Sequence, residues 1–244
     1  MARERYLLHA GEEAINRPGA EKKADNPKSK WENFWFYHKW HVIIGVFLIA
    51  LAVFFLHDLL SVVHPDYQIG LITQNSYSDT AISQLETELA KYGEDLNSDG
   101  KVIVQVNSYV VMNDTASAPV DPNIQMAGVV KMSADLNDGT SMIFLTDDAS
   151  FQDQQKKQKL FSYLDGTMPA DGASDYSRMR VALKNCKKLA ALGADTTPGG
   201  GKEFLDNLSI SLRVFKGTQL EGKKDKDQYF AVSKKLFDKV ISGS

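Results

Sequence analysis

An acidic turn, DLNSDGKV, holds the residue types and spacing that come closest to a metal-binding loop. Asp95, Asn97 and Asp99 place side-chain oxygens at positions 1, 3 and 5 of an EF-hand-type loop. Gly100 supplies the turn at position 6, and the carbonyl oxygen of Lys101 stands at position 7. Oxygen ligands at this spacing favour Ca²⁺, so these residues are the predicted metal site.

The second half of the EF-hand pattern is absent from the same loop. Position 9 is Ile103 and position 12 is Val106, so the bidentate acid that normally completes the shell is missing. Calcium would therefore need a remote carboxylate, such as Glu94 or Asp138. The alternative interpretation is an Asx-rich turn that starts the following strand, and the sequence leaves both open.

A second polar group follows two apolar runs that predict strands. Asp147 and Asp148 come directly after one run, and residues 73–76 (TQNS) come at the end of the other. Ligands of open α/β sheets bind beyond the carboxyl ends of the strands, so these residues are placed to line a crevice. The simpler alternative makes Asp148 the N-cap of the next helix.

Histidine placement argues against most hydrolytic chemistry in the larger part of the chain. His64 is the last histidine, so the residues after it offer no imidazole as a general base or zinc ligand. Cys186, the one cysteine, stands among lysines without a histidine partner, which favours an unreactive thiol. The GGGK run at residues 199–202 lacks the spacing of a phosphate loop and predicts a linker. We expect no enzymatic activity and no cofactor other than Ca²⁺.

An apolar stretch at residues 42–63 predicts one transmembrane helix. At 1.5 Å per residue it would span roughly 33 Å, about the hydrocarbon thickness of a bilayer. Five lysines lie within residues 22–39, whereas no Lys or Arg follows the stretch until Lys91. The positive-inside rule then places residues 1–41, a basic tail, in the cytoplasm and residues 64–244 outside the cell. A cleaved signal peptide fits less well, because the exit from the apolar run lacks a small-x-small cleavage pattern.

Five aromatic side chains immediately precede this stretch. Rings that combine an apolar face with a polar N–H or O–H prefer the headgroup region of a bilayer. An interfacial belt continuous with the helix is one interpretation, and docking against a partner membrane protein is the other. The residues concerned are Trp31, Trp35, Phe36, Tyr37 and Trp40.

Strand and helix patterns alternate along residues 64–244, which is typical of an α/β fold. Compact apolar runs predict strands, and a 3.6-residue periodicity predicts the helices between them. This order favours a largely parallel sheet covered by helices. The predicted strands are residues 67–73, 101–111, 141–146 and 208–215; the predicted helices are residues 78–92, 122–138, 148–164, 178–192 and 227–242, with a flexible loop at 196–202.

The order of these segments, from KWENFWFYHKWH through the apolar stretch to DYQIGL, DLNSDGKVIVQVNSY and SMIFLTD, carries a resemblance. It resembles a group of membrane-anchored extracytoplasmic proteins of clostridial-type Firmicutes, a group of unknown function. The resemblance implies an outer domain similar to one lobe of the type II periplasmic-binding fold. It therefore implies a shape suited to binding and does not specify a substrate.

Two functions are compatible with this architecture. The first is a solute-binding-like module that captures a small ligand at the cell surface. The second is an accessory or scaffold subunit of a membrane or cell-envelope complex. Both make the lipid bilayer a partner, and the formal net charge of −3 gives no basis for binding nucleic acid.

Overall fold

The structure, a computed structural model, describes residues 27–60, 64–111 and 122–242. The chain divides into two compact units, Met1–Val63 and His64–Ser244. Residues 1–26 of the predicted tail and residues 61–63 of the predicted span lie outside the described residues.

The aromatic segment and the apolar stretch form one continuous helix, α1 (Pro27–Leu60). The helix begins at Pro27. The first N–H groups of a helix have no intrahelical partner, so the N–H that proline lacks costs no hydrogen bond there. Helix α1 is described to Leu60 and runs without a break through residues 41 and 42, where the predicted tail meets the predicted span. Within α1, Lys30–His57 is long and apolar enough to cross a membrane, judged by length and composition, and its most apolar window is not buried at all.

The second unit is an α/β fold with strands and helices in alternation along much of the chain. Its strands are β1 (Tyr67–Thr73), β2 (Val104–Val110), β3 (Ile143–Thr146), β4 (Arg180–Ala182) and β5 (Ser209–Leu212). Its α-helices are α2 (Asp79–Ala90), α3 (Pro122–Asp138), α4 (Asp148–Gln158), α5 (Gly201–Asn207) and α6 (Lys224–Ile241).

The five strands form one mixed sheet in the order β2-β1-β3-β5-β4. β1 pairs parallel with β2 and β3, whereas β5 pairs antiparallel with both β3 and β4. The prediction of a largely parallel sheet is therefore correct for the first three strands and wrong at β5. Ala182, the last residue of β4, lies opposite Ser209, the first residue of β5. The chain therefore leaves β4 and enters β5 at the same end of the sheet, which makes the two strands antiparallel.

β1 is the central strand and supplies side chains to both halves of the core. Ile69 and Leu71 pack with α2, α5 and α6 on one face of the sheet. Ile72 packs with residues of α3 and α4 on the other face. The sequence predicted a strand buried on both faces here, and that prediction is confirmed.

Two predicted segments between α4 and β5 are wrong. The predicted helix at 178–192 is instead β4 flanked by 3₁₀ turns, with Cys186 buried between two of them. The predicted flexible loop at 196–202 includes the start of α5, because Gly201 lets the helix backbone pack against the carbonyl of Leu192, where a Cβ would overlap it. The predicted helix at 148–164 ends at Gln158 because Lys159 is left-handed, with φ of 51°.

We predict that Gly70→Ala destabilises the His64–Ser244 unit by about 1–3 kcal/mol, the usual cost of overpacking a core. Gly70 lies opposite Phe144 in the β1–β3 register, and a Cβ added there would overlap the phenyl ring. All three tryptophans lie in α1, so their fluorescence does not report on this unit. The urea midpoint of the full-length chain in detergent is measured instead from the reactivity of Cys186, which is buried in the folded state.

Phe144→Leu in the Gly70→Ala background is the matched control, because it makes room for the added methyl group. The double variant is expected to lose less than the sum of the two single losses. An unchanged midpoint for Gly70→Ala would show that the close packing of β1 on β3 is not required.

Candidate functional site

The carboxyl ends of β1 and β3 meet, as the sequence predicted for residues 73–76 and the two acids. Asp147 Oδ2 accepts a hydrogen bond from the backbone N–H of Gln74 at 2.7 Å. Asp147 Oδ1 accepts another from the N–H of Ser150 at 2.7 Å and is thereby the N-cap of α4. The prediction that Asp148 is the cap is wrong, because Asp147 has the extended backbone that a cap requires.

Asp148 instead forms an ion pair with Arg180, a residue that the sequence did not predict to be functional. Its Oδ1 lies 2.6 Å from Arg180 Nη2, and the Arg180 guanidinium carbon lies 4.4 Å from the centre of the Phe151 ring. The ion pair and the cation–π contact together hold the guanidinium near the carboxyl ends of β1 and β3, which are called the carboxyl edge of the sheet below. The Arg180 side chain is 23% exposed, so part of it faces solvent.

An open groove of about 560 Å³ lies at this edge, beside β4 and the start of β5. Arg180 and Lys184 give it positive charge, and Asp148 and Asp206 give it negative charge. The rest of the lining consists of neutral hydrogen-bonding residues and three apolar ones: Ser177, Asn185, Asn207, Ser209, Val181, Ala182 and Leu208. The groove therefore offers donors and acceptors for a small polar molecule.

Sequence reasoning missed this groove because it assigned residues 178–192 to a helix. The available signal was the alternation of apolar residues at 179, 181 and 183, a period of two that indicates a strand. With β4 placed correctly, Arg180 would have been expected near the carboxyl end of β3.

Tyr77 borders the same edge in a largely apolar setting. Its ring stacks on Phe204 with 4.4 Å between centroids. Burial and the negative charge of Asp147 raise the pKa of Tyr77 to about 12, although a hydrogen bond with Asn207 acts in the opposite direction. Tyr77 is therefore a neutral phenol at physiological pH. Within the described ranges, the side-chain amide nitrogen of Gln74 is buried nearby without a hydrogen-bond partner.

The predicted calcium loop is closed by its own hydrogen bonds. Asp95 accepts from the backbone N–H groups of Ser98 at 2.6 Å and Gly100 at 2.9 Å. Ser98 and Gly100 both have left-handed backbones, with φ of 61° and 83°. The first carboxylate of the motif thus organises a tight turn, as the Asx-turn alternative expects.

The other two predicted side-chain ligands are also engaged in the turn. Asn97 Oδ1 accepts from the N–H of Asp99 at 2.9 Å, and Asp99 Oδ1 accepts from the N–H of Lys101 at 2.8 Å. Glu94, one proposed remote ligand, pairs with Lys239 at 3.0 Å, and this contact lowers the pKa of the Glu94 carboxyl. Among the described residues, no three His, Cys, Asp or Glu side chains are grouped to hold a metal ion. Calcium at this loop stays a prediction.

Asp66 fixes this loop to the start of β1, a role that its sequence context did not reveal. The residue is 4% exposed, and its carboxylate accepts from the N–H groups of Leu96, Asn97 and Ile103 at 2.7, 3.2 and 2.8 Å. Asn97 Nδ2 also donates to the carbonyl of His64 at 3.0 Å. The loop is thereby held to the first residues of the His64–Ser244 unit.

The aromatic segment lies on the first turns of α1, where it was predicted to form an interfacial belt. The five rings are between 45% and 70% exposed and are spread around the helix: Trp31, Trp35, Phe36, Tyr37 and Trp40. Lys39 Nζ lies 5.9 Å from the centre of the Phe36 ring. A distribution over all sides of a helix suits a surrounding layer of lipid headgroups better than one protein face.

Comparisons of the chain with protein-family models, with curated proteins and with solved structures give no match. The resemblance to membrane-anchored clostridial-type proteins therefore stays a prediction, as does the similarity to one periplasmic-binding lobe. The class that the structure itself defines is an α/β unit with a mixed five-stranded sheet, preceded by one apolar helix.

For the calcium loop we predict that millimolar Ca²⁺ raises the unfolding midpoint of the full-length chain. A site with a Kd of about 0.1 mM would add about 1.4 kcal/mol at 1 mM calcium. Asp95→Ala and Asp99→Ala are expected to abolish the rise, whereas Asp171→Ala, an exposed acid outside the loop, should retain it. If the wild-type midpoint does not respond to calcium, the loop is a turn and not a metal site.

Proposed function

We propose that this protein is a single-pass, membrane-anchored binding module whose outer unit holds a small polar ligand in the groove beside β4. The observation that carries this proposal is the pre-oriented Arg180 guanidinium, which stands with Lys184 in an open groove at the carboxyl edge of the sheet. A binding role suits the chain better than catalysis, because no histidine follows His64.

The geometry of Arg180 favours a ligand that carries an anionic group. A guanidinium has five N–H donors in a fixed fork, and the described contacts of Arg180 use one of them on Asp148. Because the Phe151 ring and Asp148 fix its orientation, little side-chain entropy would be lost on binding. A carboxylate or phosphate group is the natural partner for the remaining donors.

The other groove residues define the rest of the ligand. Asp148, which pairs with Arg180, and Asp206, which pairs with Lys202, have carboxylate oxygens that are able to accept a further donor such as an ammonium or hydroxyl group. Asn185 and Asn207 are able to donate or accept. A molecule with both an anionic group and a cationic or hydroxyl group would match both kinds of side chain. Amino acids, short peptides and sugar acids are of this class.

The anchor in this proposal is α1, kept after synthesis and spanning the cell membrane. Thirty-four helical residues would be about 51 Å long, so the apolar part would fill the hydrocarbon layer while the aromatic turns reach the headgroups. The lysines that precede the span support a cytoplasmic N-terminus and an extracellular His64–Ser244 unit. A signal sequence meets the same criteria of length and composition, so retention of α1 is part of the proposal.

An accessory or scaffold subunit of a membrane or cell-envelope complex is the second candidate. The observation in its favour is the apolar surface of α3, where Met126 and Val130 are 70% and 62% exposed. Exposed apolar side chains of this kind are commonly buried in contacts with another protein. A scaffold role would not require the groove beside β4 to bind anything.

The ligand proposal is tested by a thermal-shift screen of the full-length chain against amino acids, dicarboxylates, sugar acids, phosphate and neutral sugars. We expect an anionic compound to stabilise the chain and neutral sugars to have no effect. Arg180→Met should weaken binding of that compound roughly 10- to 100-fold, because a hydrogen bond to a charged group contributes about 1.5–3 kcal/mol.

Lys216→Met is the matched control, because Lys216 is exposed and does not line the groove. It removes one positive charge from the outer unit without changing the groove, and the affinity should stay at the wild-type value. Stabilisation that survives both Arg180→Met and Lys184→Met, or the absence of any stabilising anion, would reject the proposal.

A further inference from the structure

A second cavity, of about 430 Å³, lies beside the last turn of α4 and is called the α4 pocket below. Its volume is within the range of about 300–1,000 Å³ that is common for small-molecule sites. It shares no lining residue with the groove beside β4, and it is more enclosed than that groove. The α4 pocket is therefore a separate candidate for binding a small molecule.

One wall of the α4 pocket is the loop between α4 and β4, whose shape is fixed by its own hydrogen bonds. The N–H of Gly166 donates to the carbonyl of Tyr163 at 2.8 Å, which closes one turn. The N–H of Ala173 donates to the carbonyl of Ala170 at 3.0 Å, which closes a second turn. Tyr163 Oη also donates to Asp175 at 3.0 Å. Because the protein itself orders this wall, little entropy would be lost on binding a ligand against it.

Apolar residues form most of the lining of the α4 pocket. The ring of Tyr176 is held edge-on to the Phe151 ring, with 5.5 Å between the centroids. Met168 is 54% exposed, and a methionine side chain adapts its torsions to the shape of what it contacts. The other apolar residues of the lining are Pro169, Ala170, Ala173 and Val214. Such a surface favours a ligand with an apolar body, because binding removes apolar area from water.

Gln155 presents an oriented amide to the apolar part of the pocket. The residue is 8% exposed, and its Oε1 accepts a hydrogen bond from the N–H of Phe161 at 2.9 Å. This contact leaves the amide nitrogen with two N–H donors, which have no hydrogen-bond partner among the described residues. Because Gln155 lines the pocket, a molecule bound there is able to accept from these donors. A buried donor without a partner costs free energy, so a ligand with an acceptor group is favoured.

Two lysines give the exposed side of the pocket positive charge. Lys156 follows Gln155 on α4, is exposed, and forms no ion pair within the part of the chain that the structure describes. Lys159 Nζ lies 2.6 Å from Asp171 Oδ1 and so connects the end of α4 to the opposite wall. The Asp171 side chain is 89% exposed, and ion pairs this exposed to solvent are weak. The acceptor group of the ligand is therefore expected to be an anion.

We propose that the α4 pocket binds a small carboxylate that carries an apolar body, such as an aryl- or alkyl-substituted acid. The apolar body packs against Tyr176 and Met168, and the carboxylate accepts hydrogen bonds from Gln155 Nε2 and Lys156. This ligand differs from the one proposed for the groove beside β4, whose lining is mostly polar and charged. The two sites bind independently, and neither requires the other.

Phenylacetate is the probe for this site. Its binding to the full-length chain in detergent is measured by isothermal titration calorimetry, with a titration into detergent alone as the blank. We expect saturable binding at millimolar concentration. Acetate lacks the apolar body, and phenylacetamide lacks the negative charge. Each is expected to bind roughly tenfold more weakly or worse, because it loses one of the two contributions.

Gln155→Glu is the most direct variant, because it keeps the oxygen that accepts from Phe161 and replaces the donor by a second acceptor. It should weaken phenylacetate binding roughly 10- to 100-fold. Lys156→Met should weaken binding about two- to fivefold. Lys157→Met is its matched control, because Lys157 is exposed on the same helix, pairs with Asp153 and does not line the pocket. This control should retain the wild-type affinity.

Lys184→Met distinguishes the two sites, because Lys184 lines the groove beside β4 and not the α4 pocket. The affinity for phenylacetate should stay at the wild-type value in this variant. Four results would each overturn the proposal: no saturable binding to the wild-type chain, equally tight binding of acetate or phenylacetamide, binding that Gln155→Glu leaves unchanged, or loss of binding in Lys184→Met.

Discussion

The constraint on which this protein depends most is the need to cover the apolar surface of α1. Phe, Ile, Leu and Val side chains along the helix are about 40–70% exposed, and the most apolar window is not buried at all. Each such side chain costs about 1.5–3 kcal/mol when it is left in water. More than ten of them together would outweigh the whole stability of an ordinary domain. A lipid bilayer would cover them without any specific partner, and this is why the proposed location of the chain is the basis of its proposed function.

Three carboxylates of the His64–Ser244 unit fix connections between its elements. Asp66 joins the 95–103 loop to β1, and Asp147 joins β1 to α4. Asp135 is buried and accepts from Tyr109 Oη, Ser141 Oγ and Ser141 N–H at 2.6, 2.6 and 2.7 Å. Burial and the adjacent Asp135 raise the pKa of the Tyr109 phenol. The phenol therefore keeps its proton and donates it in the hydrogen bond to Asp135. Acidic residues near strand ends are therefore a poor guide to function in this fold.

The groove beside β4 differs from these buried contacts because its charges remain partly open to solvent. Arg180 is oriented by Asp148 and Phe151 but keeps further N–H groups toward the groove. Lys184 is exposed at the same place. The proposed recognition of an anionic group rests on these two cations, of which Arg180 is held by its contacts and Lys184 is exposed.

Local patterns predicted those parts of the fold in which one periodicity dominates. β1, α2, α3 and α6 lie within a few residues of their predicted positions, because continuous apolar runs and amphipathic repeats specify them. β4 was missed because the three residues of this short strand stand in a lysine- and alanine-rich context typical of a helix. The strand β5 was predicted within residues 208–215, but its antiparallel direction was not, since strand direction is set by where the chain re-enters the sheet and not by composition. Arg180 was therefore not predicted as a site residue. The rule that strand ends meet correctly placed residues 73–76 beside Asp147, but of the residues predicted to line a crevice only Asp148 lines the groove beside β4.

The central claim is that α1 stays in the membrane with the His64–Ser244 unit outside the cell. Labelling of intact cells with a membrane-impermeant maleimide tests it directly, with one cysteine introduced before the span (Lys28→Cys) or on the exposed face of α2 (Ser83→Cys). The wild-type chain, with its buried Cys186, gives the background. Ser83→Cys in the membrane fraction should be labelled in intact cells, and Lys28→Cys only after permeabilisation. Labelling of Ser83→Cys only after permeabilisation, or recovery of the chain from the soluble fraction, would contradict the claim.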